Sequence, residues 1–418
     1  MKQRSLRVAA RLVWPITSPP IEHAAVLADD AGRIVAVGLD GQVPRPPGAR
    51  EVRYPDAALL PGLVNAHTHL ELHFLGGAAP EGDFFTWIQH MRHVRDTAPA
   101  EAYQEGARAG LRECWRHGVT TVADTGTSGA TARALGELGG RGVYYQEVIG
   151  PDRRDAERAF GTAAKASEEL RAKAAPAVQV GLSPHAPYTV SPSLLEQAVA
   201  FARAEGMPLA MHLAESAAET ELISAGAGAF AAGWQERGIP LPEPARSPIA
   251  WADRAGLLGP DLLAIHAVRA DAFDVELLAE RGAAVACCPR SNRSHGHGNP
   301  PLGELIGAGI RVGLGTDSVA SVEDLDLLAE ARLARELAGL DAVAALRLAT
   351  VGGAAALGLE REVGSLEPGK WADLALFELG SEMQAVAAPE SAELASALLA
   401  GGEVVATYVA GRRVFGDS

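Results

Sequence analysis

The sequence predicts an α/β protein: a (β/α)8 barrel with a small β-sandwich domain built from both ends of the chain. Three observations predict it. Through the middle, about eight short apolar runs alternate with helix-length, Ala/Leu-rich segments, the pattern of parallel strands joined by crossover helices. Histidines and acids recur where those runs stop. Strand-and-turn patterning without helix-length spacers is confined to the two ends.

The elements follow in order. Ser5 to Trp14, Ala24 to Leu27 and Arg33 to Gly38 read as strands, with Asp29-Asp30-Ala31-Gly32 supplying turn chemistry between the last two. Ala57 to Leu60 is counted as the first barrel strand. Val119 to Asp124 precedes a helix over Ala130 to Leu138, and Val143 to Val148 precedes one over about Ala156 to Ala174. Ala177 to Leu182, Leu209 to Leu213, Leu263 to Ala267, Ala283 to Cys287 and Ile310 to Leu314 complete the barrel series. Ala372 to Phe377, Glu403 to Val409 and Arg413 to Phe415 are the closing strands, the last two turning at Gly411. Each end alone has too few strands to bury a core, so the two are expected to share one domain. The division expected is 1–58 plus 364–418 for the β domain and 59–363 for the barrel. An open doubly wound sheet competes, but no glycine-rich phosphate loop follows the first strand.

Composition narrows the function. The 418 residues are 48% hydrophobic and 21% charged, which is globular rather than disordered or membrane-embedded. A formal charge of −15 disfavours a nucleic-acid partner, whose phosphates it would repel. No uninterrupted apolar stretch reaches membrane-spanning length. The segment from Met1 to Pro19 lacks the long apolar core of a signal peptide. Cys114, Cys287 and Cys288 are the only cysteines, and the adjacent pair cannot form an ordinary bridge. A cytoplasmic enzyme acting on a small molecule is the expectation, with a homo-oligomer left open.

The chemistry begins at His67-Thr68-His69. Side-chain alternation puts both imidazoles on one face at a strand's end, where they can grip one divalent ion. A hydrogen-bonded structural pair is the bland alternative. Convergence decides against it: His212, His266 and Asp317 each sit where a later strand gives out, and barrel active sites lie at those ends. His67, His69, His212 and Asp317 form the expected metal set. Mixed imidazole and carboxylate ligands suit zinc, with iron also acceptable.

The chain resembles the amidohydrolase superfamily, in its cytosine/adenosine-deaminase-like branch. The resembling segments are Pro61 to His69, Ser183-Pro184-His185-Ala186-Pro187-Tyr188, His212-Leu213-Ala214-Glu215, Gly256-Leu257-Leu258 leading to His266, Cys288-Pro289-Arg290-Ser291-Asn292, Gly315-Thr316-Asp317-Ser318 and Pro368 to Leu374. Binuclear members carry a bridging carboxylated lysine on the fourth strand. Val178 to His185 has none, so the resemblance implies one metal per chain. It also implies roles. Asp317 takes a proton from the metal-activated water, His266 orients that water, and Glu215 protonates a ring nitrogen of the substrate. A solvated acid at a helix start is the bland reading of Glu215.

On the substrate side, His185 matches a residue that nucleoside-deaminating relatives place against the sugar. Relatives acting on S-adenosylhomocysteine and methylthioadenosine carry a ribose-binding glutamate after a tryptophan. Here Trp87-Ile88-Gln89 puts Gln89 at that place. His67 to Leu72, followed by Phe85-Thr86-Trp87-Ile88, is more similar to the aminodeoxyfutalosine deaminases of the alternative menaquinone pathway. That resemblance implies deamination of 6-amino-6-deoxyfutalosine to futalosine and ammonia. Deamination of S-adenosylhomocysteine, methylthioadenosine or adenosine is the alternative, as is amide or halide hydrolysis on a ring. A substrate carboxylate would want an arginine, for which Arg290 and then Arg153 are the candidates. The roles of His73, His295 and His297 stay open.

Overall fold

A computed structural model of the chain describes residues 4–76, 83–386 and 389–416. The chain forms two compact units, Met1–Asn65 with Leu111–Val122 and Asp326–Ser418, and Ala66–Gly110 with Ala123–Leu325. The strands begin with β1 (Leu6–Val13), β2 (Ile21–Ala28), β3 (Ile34–Leu39), β4 (Arg50–Pro61) and β5 (Leu63–Thr68). They continue with β6 (Val119–Gly126), β7 (Arg141–Val148), β8 (Val178–Pro184), β9 (Leu209–Leu213), β10 (Leu262–His266), β11 (Ala284–Cys287) and β12 (Arg311–Leu314). The last three are β13 (Leu374–Glu378), β14 (Val404–Val409) and β15 (Arg412–Phe415).

Both ends of the chain build one seven-stranded sheet, in the order β15-β14-β13-β4-β1-β2-β3. β4 is its seam, parallel to β1 on one side and antiparallel to β13 on the other. Period-two alternation shows in β1: Leu6, Val8 and Ala10 join the core of Leu59, Leu374, Leu376 and Tyr408, whereas Ala9 faces a second cluster with Leu27 and Val43. Arg7, fully buried on that other face, is matched by Asp40 at 2.6 Å and Glu51 at 3.2 Å.

One expectation is corrected here. Ala57 to Leu60 belongs to β4 in the seven-stranded sheet, not to the barrel. The first barrel strand is β5, which itself contains His67. The two apolar runs are separated only by Pro61 and Gly62. Gly62 is required there, since a Cβ would fall 2.1 Å from the Thr120 hydroxyl oxygen.

The other sheet has eight strands in strict sequence order, β5 through β12. Every register resolved between neighbours from β7 onward is parallel. A parallel bridge between Thr68 and Asp317 links the two ends of that order, and the Asp317 amide donates to the His67 carbonyl at 3.0 Å. The result is the expected (β/α)8 barrel. Both faces of its strands are covered, and all eight residues of β6 are buried, its three threonines and Asp124 included. No described helix is long and apolar enough to cross a membrane.

Candidate active site

Four of the eight strand ends supply the metal-site and catalytic candidates. β5 carries His67 and hands His69 to the residue beyond it; β9 ends with His212 and Leu213; β10 ends on His266; Asp317 lies just past β12. Several of these ends are bent backbone. Ala214 (φ 52°), His266 (φ 75°), Ala267 (φ 50°) and Asp317 (φ 61°) all occupy the left-handed region, which non-glycine residues seldom adopt. Strain of this kind persists where surrounding contacts over-determine it, and it clusters at functional sites.

Those contacts are visible. Behind Ala214, the buried carboxyl of Glu219 accepts the amides of Ala214 and Glu215, each at 2.8 Å. Burial, with Glu215 nearby, pushes Glu219 up to about 8, against the pull of those amides. Asp317 is held by Ser291, whose hydroxyl donates to Oδ2 at 2.5 Å and leaves Oδ1 to face the histidines. The Nδ1 of His266 donates to the Asn292 side-chain oxygen at 3.0 Å. Its Nε2 is buried without a hydrogen-bond partner, 3.6 Å from Glu215 Oε1. Gly315 must be glycine, because a Cβ would lie 2.7 Å from the His67 Cβ.

The imidazole geometry tests whether a metal fits. His69 Nδ1 is 3.0 Å from the Thr125 carbonyl, and His212 Nδ1 is 3.0 Å from the His185 carbonyl. Carbonyls only accept, so both Nδ1 atoms carry the proton and both Nε2 atoms are bare lone pairs. Those two Nε2 atoms face each other at 3.3 Å. Asp317 Oδ1 joins them, 3.5 Å from His69 Nε2 and 3.4 Å from His67 Nε2. Acceptors crowd together this way when a cation satisfies them. In a tetrahedral zinc site with bonds of ~2.1 Å, ligand atoms stand ~3.4 Å apart, so the spacing fits. The donor atoms of His67, His69 and His212 all lie within 4.8 Å of one another. Burial, then the neighbouring His67, lowers His69 to about 3; burial and the surrounding imidazoles hold His212 well below its usual value. Neutral rings are what a metal needs.

The two remaining acids are ionised. For Asp317, burial alone would raise the carboxyl, but His67 and His266 hold it well below the carboxylate range. For Glu215, burial again works upward and is overcome by His266 and His297, leaving it at about 2. His297 Nε2 is 3.6 Å from Glu215 Oε1, so His297 belongs to the site. His295 donates to or accepts from Ser321 at 3.1 Å and stacks on His297.

These groups form the floor of a cavity of about 490 Å3. His69, His212, Glu215, His266 and Asp317 line it, and so does the helix Phe84–Thr97, with Phe84, Trp87 and Gln89. Phe84 lies edge-on to His297 at 4.5 Å, and Trp87 edge-on to His295 at 4.5 Å. His185 also lines the cavity; burial lowers it to about 4, and its Nδ1 meets the Thr189 hydroxyl at 2.8 Å.

Two expected residues are elsewhere. Arg290 does not line the cavity; it lies in the short helix Pro289–Ser294 and pairs with Asp324 at 2.7 Å. Arg153 is exposed and borders a separate hollow with Ser191 and Glu196. Among the described residues, the arginines that do line the cavity are Arg92, Arg95 and Arg237. Sequence reasoning also assigned no role to Glu147, Glu219, Ser291 or Asn292. The last two stand beside Arg290 in the segment already singled out, and their hydrogen-bonding side chains were the available signal.

Comparisons with known proteins place the chain in a family. The model of the Amidohydrolase family matches residues 58–414. A 5-methylthioadenosine/S-adenosylhomocysteine deaminase of Moorella thermoacetica is 34% identical over 378 residues, covering 88% of this chain and 84% of its own. A crystal structure of an adenosine deaminase from Xanthomonas campestris with bound zinc superposes with a TM-score of 0.82 at 29% identity, over 99% of this chain and 93% of that one. Helicobacter pylori aminofutalosine deaminase superposes with a TM-score of 0.83, covering 98% and 100% of the two chains; at 22% identity this shows the shared fold. With its barrel, its strand-end donor set and these matches, the chain belongs to the amidohydrolase family.

Proposed function

We propose that the chain is a metal-dependent hydrolytic deaminase of adenine nucleosides, with one divalent ion, zinc by preference, held by His67, His69, His212 and Asp317. The observation that carries this reading is the set of bare acceptor atoms converging beside Glu215 and His266 on a cavity floor. The names of the Moorella and Xanthomonas relatives, and the zinc in the latter, support it. When bound, such an ion makes water acidic enough to act as a nucleophile near neutral pH.

The chain's own residues do the rest. His266, its Nδ1 tied to Asn292, presents its unpartnered Nε2 to the attacking water and orients it at C6 of the purine. Asp317 and Glu215, both ionised, are the available proton acceptors on the floor. Glu215 passes a proton to N1 as the C6–oxygen bond forms, and the 6-amino group leaves as ammonia after taking the second proton. General acid–base assistance of this kind contributes about 10²–10⁴ in rate. The aromatic lining, with Phe84, Trp87 and Phe230, suits a further apolar group beyond the sugar, and Arg92, Arg95 and Arg237 suit an anion on it. On that basis 6-amino-6-deoxyfutalosine, which bears a carboxyphenyl group, is the preferred substrate within the class. Deamination of methylthioadenosine or S-adenosylhomocysteine is the second reading, favoured by the relatives' names.

Ammonia release from adenosine, methylthioadenosine, S-adenosylhomocysteine and aminodeoxyfutalosine tests both levels, run beside elemental analysis. The expected result is one equivalent of metal and the highest kcat/KM with aminodeoxyfutalosine. Equal efficiency on adenosine overturns the finer assignment. No ammonia from any of the four overturns the coarser one.

A further inference from the structure

The cavity contains a carboxyl that the chemistry above leaves unused. Glu147 stands near the end of β7 and lines the cavity, with its side chain only 8% exposed. Its Oε1 is buried and has no hydrogen-bond partner among the described residues. Native proteins seldom leave such an atom unsatisfied without a reason.

Two ordinary reasons fail. Glu147 does not orient the neighbouring metal-site histidine: His69 Nδ1 is 3.9 Å from Oε1, and that nitrogen already donates to the Thr125 carbonyl at 3.0 Å. Nor is Glu147 a fully satisfied core acid: the Thr125 hydroxyl stands against its carboxyl, yet Oε1 is left without a hydrogen bond. Glu71, on the same wall, accepts from the Thr127 amide at 2.9 Å, the Ser128 amide at 3.3 Å and the Ser128 hydroxyl at 2.5 Å. Asp124 also leaves one oxygen bare, but it does not line the cavity. Glu147 alone among these three presents an unsatisfied oxygen to the space a ligand would fill.

Its place in the ring says which part of the ligand it meets. In the order β5 to β12, β7 is three strands from β10, which carries His266, and three from β12, which precedes Asp317. His266 and Asp317 hold the reacting ring end from that arc, and the ligand histidines of β5 and β9 lie between it and β7, so the part of a nucleoside that extends past His69 and His212 arrives beside Glu147 and His185. We propose that Glu147 accepts a hydrogen bond from a sugar hydroxyl and sets the preference for ribose over a deoxy sugar. This rests on the nucleoside reading above. A carboxyl oxygen with no other partner suits a hydroxyl donor, and a site built for a hydroxyl rejects the analogue that lacks it.

The test is binding, which does not need turnover. Inosine, 2′-deoxyinosine, 3′-deoxyinosine and hypoxanthine are titrated calorimetrically into the zinc-loaded parent, Glu147→Ala and Glu147→Gln, with unfolding midpoints and zinc content read alongside. The parent is expected to bind inosine about tenfold or more tighter than one of the two deoxy analogues. Glu147→Ala should bring the three nucleosides within about twofold of one another and leave hypoxanthine unchanged. Glu147→Gln keeps an acceptor oxygen and should retain part of the preference. A parent that binds inosine and both deoxy analogues alike, or does not bind inosine, overturns the proposal. So does a variant that loses inosine and hypoxanthine in equal measure, the mark of a merely structural role. A parent that discriminates between the sugars yet releases no ammonia from any adenine nucleoside sinks the deaminase reading and leaves Glu147 in place.

Discussion

Glu215 gives the sharpest test at the scale of one residue. It is ionised at about 2, buried, and flanked by His266 and His297 at 3.6 Å each. Glu215→Gln keeps shape and volume but removes the carboxylate to which the proposed mechanism gives the proton transfer. We expect kcat to fall by about 10²–10⁴ with metal content and unfolding midpoint unchanged. Activity within about tenfold of the parent would take Glu215 out of the proton pathway. This residue was legible in the sequence because His212-Leu213-Ala214-Glu215 ties it to a ligand by fixed spacing. Glu219, which accepts the amides that aim it, was not. An acid four residues further on looks like any helix-surface carboxylate until the φ of 52° at Ala214 shows which amides it catches.

Among elements, the join between β5 and β12 is the most exacting. The Asp317 amide donates to the His67 carbonyl, and Gly315 packs on His67 with no room for a Cβ. Gly315→Ala should therefore push His67 out of place and displace a metal ligand without touching any ligand's chemistry. The expected outcome is a loss of bound zinc and of activity, with the barrel's far-ultraviolet circular dichroism retained; full zinc occupancy in that variant contradicts it. Strand identity was largely readable from apolar runs, since buried parallel strands show no alternation to confuse. Sheet membership was harder. Ala57 to Leu60 and Leu63-Val64 are both apolar and nearly adjacent, and their strand partners, Leu374 to Glu378 for the first, tell them apart. Arg290 failed as a pocket residue for a similar reason. The sequence places it after a strand, but its pairing with Asp324 is visible only in the fold.

For the whole molecule, ligand linkage and proton linkage make the prediction. A metal that binds only the folded chain stabilises it by about 4 kcal/mol at a thousandfold excess over Kd. Chelation should lower the unfolding midpoint by several degrees, and zinc should restore it. In the metal-free protein, His69 titrates at about 3 instead of its ordinary 6.5 because of burial and His67. Below about 6.5 the unfolded chain takes up that proton first, so stability is lost as pH falls toward 3. Glu219, Glu147 and Asp124 run the other way. Burial raises each to about 8, so the folded chain keeps protons that the unfolded chain has released, and stability declines as pH rises from about 4.5 toward 8. Thermal unfolding with chelator should show a maximum between these limbs, and Glu219→Gln should flatten the alkaline limb. A profile without either slope would contradict the burial of these groups.

The seam at β4 has a consequence for biosynthesis. β1 lies close before β4 in the chain, yet β13, which must pair with the other side of β4, follows about 300 residues later. At roughly 5–20 residues per second, that interval is on the order of tens of seconds. Throughout it, β4 exposes a row of unpaired amides and carbonyls next to the apolar stretch Ala57-Ala58-Leu59-Leu60, the kind of edge that recruits other chains. The nascent protein must therefore carry an unfinished sheet while the whole barrel is synthesised. Its yield in a cell depends on shielding that one edge, in cis by transient contacts or in trans by a chaperone, until the last strands arrive.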